Sequence, residues 1–188
     1  TTSGRVTGVQ TCALPICLFF NAMAHTIIQD TCAQLGSALI KRNLRIALAE
    51  SCTGGLVCQQ LTNIPGSSAW FDRGFITYSN ESKMELLKVN QTTLSEFGAV
   101  SKEIASEMAL GALNASHADI ALSITGIAGP SGGSIDKPVG TVFFAIAYQN
   151  KVVFNASKIF SGSRENIRES SCLFALNQVL ALTLNPQV

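Results

Sequence analysis

Apolar residues recur at close to the 3.6-residue period from Ile27 to Lys41, where Ile27, Ile28, Cys32, Leu35, Leu39 and Ile40 predict an amphipathic helix. Arg45 to Ala49 is a short apolar run that reads as a strand. Leu56 to Leu61 resumes the helical pattern, so the polar, glycine-rich stretch between them, Glu50 to Gly55, falls at a strand-to-helix turn. Phe75 to Tyr78 predicts a second strand, Asn80 the N-cap of a helix through Leu87, and Thr93 with Glu96 a capping box for the next short helix. Ser101 opens a long helix to about Ser116, and Asp119 to Thr125 is the third strand. Gly126 to Gly133 is too rich in glycine to be an element interior and is a loop. Val139 to Tyr148 and Lys151 to Phe160 flank the Gln149-Asn150 turn as a hairpin, and Ser163 to Leu184 closes the chain as a helix. The order of types predicts an α/β fold: a single three-layer α/β/α domain with a mixed sheet.

Composition sharpens this in three ways. Among 188 residues, 47% are hydrophobic and 13% charged, enough apolar surface for a core and against disorder. Lys plus Arg number 13 against 12 for Asp plus Glu, so no basic footprint for nucleic acid or an anionic membrane is present. The six cysteines form no CxxC pair and have no histidine cluster nearby, which disfavours zinc and reads as reduced thiols in the cytoplasm.

Val6 to Gln29 holds no charged residue and imitates a secretory leader, but Pro15 interrupts its apolar run, which is also too short to span a bilayer. Thr7 to Ile16 resembles a translated sequencing adapter. Residues 1–22 are therefore expected to be a non-native or disordered leader, and 23–188 the domain.

Three polar segments carry candidate chemistry, since open α/β sheets bind ligands over the carboxyl ends of their strands. Ser51, Thr53, Gly54 and Gly55 offer hydroxyls and backbone N–H groups at a helix start, an anion site or merely an N-cap and tight turn. Thr125 to Gly133 lets the backbone approach a phosphate or sugar closely. Gly66-Ser67-Ser68 with Tyr78 to Lys83 supplies a hydroxyl, a phenol and an amine, the ingredients of a Ser-Lys site. A lysine base at neutral pH has to fall from about 10.4 to near 7, on the order of 4 kcal/mol from burial and the helix dipole. The same residues also read as a turn serine, a core tyrosine and a solvated lysine.

Five segments in order change the odds: Ala49 to Gly55, Gly66 to Phe71, Gly74 to Lys83, Thr125 to Pro130 and Lys137 to Val142. Over residues 23–188 the chain resembles the CinA C-terminal domain family, whose stand-alone members are nicotinamide-nucleotide amidases. The resemblance implies hydrolysis of nicotinamide mononucleotide to nicotinate mononucleotide and ammonia, without metal or organic cofactor. It puts the nucleophile on Ser68, with Ser67 the lesser alternative, and proton transfer on Lys83 and Tyr78. Backbone N–H groups beside Ser68 or in the glycine loop are the candidate oxyanion donors. Ser51, Thr53, Gly54 and Gly55 fit the phosphate, Thr125, Gly126 and Gly129 the ribose or amide, and Arg164 clamps phosphate or is a solvated helix-start residue. Glu50 pairs with the pyridinium or orders its turn. The alternative is a nucleotide-binding regulatory module linked to competence or DNA damage; a homo-oligomer is expected in either case.

Overall fold

A computed structural model of the chain describes residues 14–185. Five strands form one mixed sheet in the order β2-β1-β3-β4-β5: β1 (Ile46–Glu50), β2 (Phe71–Ile76), β3 (Ile120–Gly126), β4 (Thr141–Tyr148) and β5 (Lys151–Ile159). β1 is parallel to both β2 and β3, and the β3–β4 and β4–β5 pairs are antiparallel. Six α-helices accompany it among the described residues: α1 (Leu14–Lys41), α2 (Leu56–Thr62), α3 (Asn80–Leu87), α4 (Gln91–Phe97), α5 (Lys102–Asn114) and α6 (Arg164–Leu184). None of the helices in the described residues is long and apolar enough to cross a membrane.

Strand alternation sorts the residues into two cores. Ile46, Leu48, Ile120, Leu122, Phe144 and Ile146 pack against α1, α2 and α6. The opposite face carries Ala49, Ala121, Ala145 and Ala147, and these small side chains let α5 settle close through Ala105, Ala109 and Ala112. There the buried Ser123 hydroxyl donates to Ala105 O, so its polar atom is satisfied. The three-layer mixed architecture is the one the pattern predicts.

Boundaries differ where other forces override the pattern. α1 begins well before Ile27; Pro15 falls in its first turn, where a missing N–H costs nothing. Residues 1–13 of the expected leader lie outside the described residues. β2 starts at Phe71 because it is an edge strand whose polar Asp72 and Arg73 are tolerated, Asp72 pairing with Arg45 at 3.2 Å. The cap of α3 is Ser79, accepting from Ser82 N, and that of α4 is Asn90, accepting from Thr92 N. Thr93, expected in a capping box, instead donates to Glu107. Ser101 and Ser163 cap α5 and α6, and Gln149 and Asn150 turn the hairpin with positive φ.

Candidate active site

Four segments meet over the carboxyl edge of the sheet because β1, β2 and β3 run parallel and the hairpin returns β5 to the same direction. They are the turn after β1, the stretch from Thr77 into α3, the glycine loop after β3 and the start of α6. Between them lies a cleft of about 350 Å³ whose lining includes Ser51, Tyr78, Lys83, Thr125, Gly129 and Arg164.

The turn after β1 is set from inside. Glu50 is fully buried, and its carboxyl group accepts from Gly55 N at 2.9 Å, Val57 N at 3.3 Å and Cys58 N at 2.8 Å. Gly54 and Gly55 hold φ of +59° and +92°, a left-handed path that side chains resist. The start of α2, expected to receive a phosphate, is thus filled by the chain's own carboxyl, and Glu50 orders the turn. Thr53, Gly54 and Gly55 lie outside the cleft lining, whereas Ser51 and Cys52 face it. Burial pushes the Cys52 thiol up to about 12, so it stays protonated and does not compete as a nucleophile.

Ser51 is the hydroxyl that meets the amine. Lys83 is 1% exposed, with Nζ 3.2 Å from Ser51 Oγ, 2.7 Å from Thr77 O and 3.4 Å from Ser79 O. Burial lowers the Lys83 pKa below the ordinary lysine value, outweighing the opposing influence of Cys52 and Glu81. A neutral amine has two hydrogens and one lone pair. When the amine is neutral, the two carbonyls, which can only accept, take its hydrogens and leave its lone pair for the Ser51 hydroxyl. This is the geometry of a serine with its general base.

Ser68 is elsewhere, which corrects its expected place beside Lys83. It is exposed in a 3-10 turn, Ser67–Ala69, that precedes β2. Because β2 is parallel to β1, the residues before it lie at the amino edge of the sheet, and Ile46 N donates to Trp70 O there. A six-residue strand separates Ser67 and Ser68 from Lys83, about 20 Å at ~3.3 Å per residue.

The remaining expected residues converge on the cleft. Tyr78, 62% exposed at the mouth, accepts through its hydroxyl from Arg164 Nη2 at 2.9 Å, while Arg164 Nη1 donates to Gly129 O at 2.7 Å. Arg164 therefore bridges the Tyr78 segment and the glycine loop, with further N–H donors to spare. Gly129 has φ +76°, and a Cβ there would lie 2.5 Å from Val139 Cγ1, so only glycine fits. Thr125 is buried and donates to Ala99 O at 2.7 Å, while Gly126 ends β3 in the lining. Asn80, expected as an N-cap, and Ser131 of the glycine loop add neutral donors and acceptors to the lining. Sequence reading passed over Arg168, which grips Thr53 O with Nη2 at 2.6 Å and Nε at 3.2 Å. Its signal is the spacing: four residues beyond Arg164, it shares that helix face.

Known proteins resemble this chain in sequence and fold. The sequence profile described as the CinA C-terminal domain matches residues 28–183. A protein of Enterobacter agglomerans named nicotinamide-nucleotide amidohydrolase PncC is 49% identical over 84% of this chain and 96% of its own length. Its namesake in Escherichia coli K12 is 48% identical over 82% of this chain and 93% of its own. The crystal structure of a competence/damage inducible protein, CihA, from Agrobacterium tumefaciens superposes with a TM-score of 0.81 at 42% identity, covering 83% of this chain and 95% of that one.

Proposed function

Since the chain belongs to the CinA C-terminal domain family, we propose that its cleft hydrolyses the carboxamide of nicotinamide mononucleotide to nicotinate mononucleotide and ammonia. The observation that carries the mechanism is Lys83 Nζ, buried and without a carboxylate among its hydrogen-bond partners, 3.2 Å from Ser51 Oγ. Ser51 Oγ attacks the carboxamide carbon as Lys83 takes its proton, giving a tetrahedral oxyanion. Collapse breaks the C–N bond, and the departing nitrogen leaves as ammonia with the proton that Lys83 returns. Water then attacks the acyl-serine ester, Lys83 takes one of its protons, and Ser51 regains its hydrogen as nicotinate mononucleotide departs. Tyr78 assists proton passage at the mouth, and Arg164 holds the substrate phosphate with its remaining donors. The glycine loop, with Thr125, Gly126 and Gly129, supports the ribose and ring.

A regulatory nucleotide-binding module would have no need of a buried lysine against a hydroxyl, a costly thing to bury. A cytoplasmic location, where the described thiols stay reduced, and a homo-oligomeric state fit the enzymatic reading; sedimentation reads the latter. The central test is ammonia release from nicotinamide mononucleotide by the intact chain and two variants. Ser51→Ala is expected to lose activity by at least about a thousandfold, while Ser68→Ala keeps wild-type turnover. Full activity in Ser51→Ala overturns the assignment.

A further inference from the structure

The nucleophile's turn contains a chain of aligned peptide groups that begins on a cation. Arg168 donates to Thr53 O through Nη2 and Nε at 2.6 and 3.2 Å. The peptide whose carbonyl it polarises carries the Gly54 N–H, which donates to Ser51 O at 3.0 Å. The next peptide in line, Ser51–Cys52, carries the Cys52 N–H. The neighbouring Ser51 N–H is already committed to Ile124 O at 3.0 Å, and those of Gly55, Val57 and Cys58 to Glu50. Among the described residues the Cys52 N–H donates to no carbonyl or carboxylate, and its own thiol beside it is a weak acceptor. Ser51 and Cys52 both line the cleft. In strand-to-helix turns bearing a nucleophile, the N–H of the following residue is the one placed to receive the oxyanion. Successive hydrogen bonds polarise one another, so positive charge at Arg168 strengthens the last donor of the series.

We propose that the Cys52 N–H is the oxyanion donor of this site and that Arg168, a positioning residue that never touches substrate, sets its strength through the two intervening peptides. This rests on Ser51 being the nucleophile. Arg168→Gln removes the charge and is expected to lower kcat on nicotinamide mononucleotide about tenfold to fiftyfold, with KM within about twofold of wild type. Arg168→Lys, which keeps charge and one donor, is expected to hold kcat within about threefold. The amide proton of Cys52, followed by NMR, moves to higher field in Arg168→Gln and stays near its wild-type position in Arg168→Lys. The burst of p-nitrophenolate from p-nitrophenyl acetate, with acetyl-Ser51 identified by mass, reads the same step without the natural substrate and is expected to slow in parallel. If nicotinamide mononucleotide releases no ammonia while the burst slows, the substrate reading fails and the donor assignment stands. An unchanged kcat and burst in Arg168→Gln, a rise confined to KM, or equal damage in Arg168→Lys overturns the proposal.

Discussion

Lys83 is the base of the proposed reaction, and its burial gives that reaction a pH dependence. Its charged form is disfavoured by burial, so its folded pKa lies below the 10.5 of an unfolded lysine. Between those two values the unfolded chain binds more protons than the folded one, and stability contributed at this position rises with pH across that window. Urea unfolding of wild type and Lys83→Met is therefore expected to show the wild type gaining on the variant as pH climbs from the folded pKa towards 10.5, with a constant difference below it. Ammonia release is expected to rise over the lower end of the same window, because only the neutral amine accepts the Ser51 proton. A rate that falls with pH there would remove Lys83 as the base. Arg164 makes a different prediction. The two charge-assisted contacts to phosphate proposed for Arg164, each about 1.5–3 kcal/mol, would be lost in Arg164→Ala, so KM should rise about a hundredfold or more while kcat changes less. A KM unchanged in steady-state assays would return Arg164 to the role of a brace between Tyr78 and Gly129.

At the scale of elements, what the sequence discloses and what it hides have separate causes. Periodicity marks α5 and α6 almost to the residue because each buries one continuous stripe and opens on a serine whose hydroxyl caps it. β2 is misplaced because an edge strand need not alternate, and caps shift by one residue where two polar side chains compete, as at Ser79 and Asn80. Ser51, Tyr78, Lys83, Thr125 and Arg164 are all legible as candidate site residues and line the cleft, yet it is Ser51, not Ser68, that lies beside Lys83. Composition and spacing do not tell which edge of the sheet a segment leaves from; that follows only from the parallel pairing of β1 with β2. The part of Glu50 is hidden for a related reason, since its three partners lie five to eight residues ahead and become neighbours only once α2 folds back. Glu50→Gln puts an amide donor against an N–H and is expected to cost about 1–3 kcal/mol in urea unfolding, with kcat falling too because the turn bearing Ser51 loosens. A variant as stable and active as wild type would leave Gly54 and Gly55 as sufficient cause of the turn.

The molecule as a whole places its chemistry at one end of the sheet and its structural anchors at the other. Trp70, almost fully buried against Gly36, and the Arg45–Asp72 pair lie by the amino ends of β1 and β2, together with Ser68 and a second hollow of about 310 Å³ at Leu44, Asp119 and Tyr148. Over the carboxyl edge the cleft is built from four separate stretches that only a few hydrogen bonds tie to one another, Arg164 and Arg168 among them. A ligand in the cleft joins those stretches and so suppresses their local opening, which lies at the low end of the stability range. Hydrogen exchange on the Ser51→Ala variant with nicotinamide mononucleotide is expected to show new protection in four places: Cys52 to Gly55, Tyr78 to Lys83, Gly126 to Gly132, and the first turn of α6. Ser67 to Ala69 and the amino-edge hollow should exchange at the ligand-free rate. Binding of this kind also raises the melting temperature with ligand concentration, by an amount set by the ratio of ligand to Kd. Protection centred on Ser67 to Ala69 would restore the other serine and move the site across the sheet.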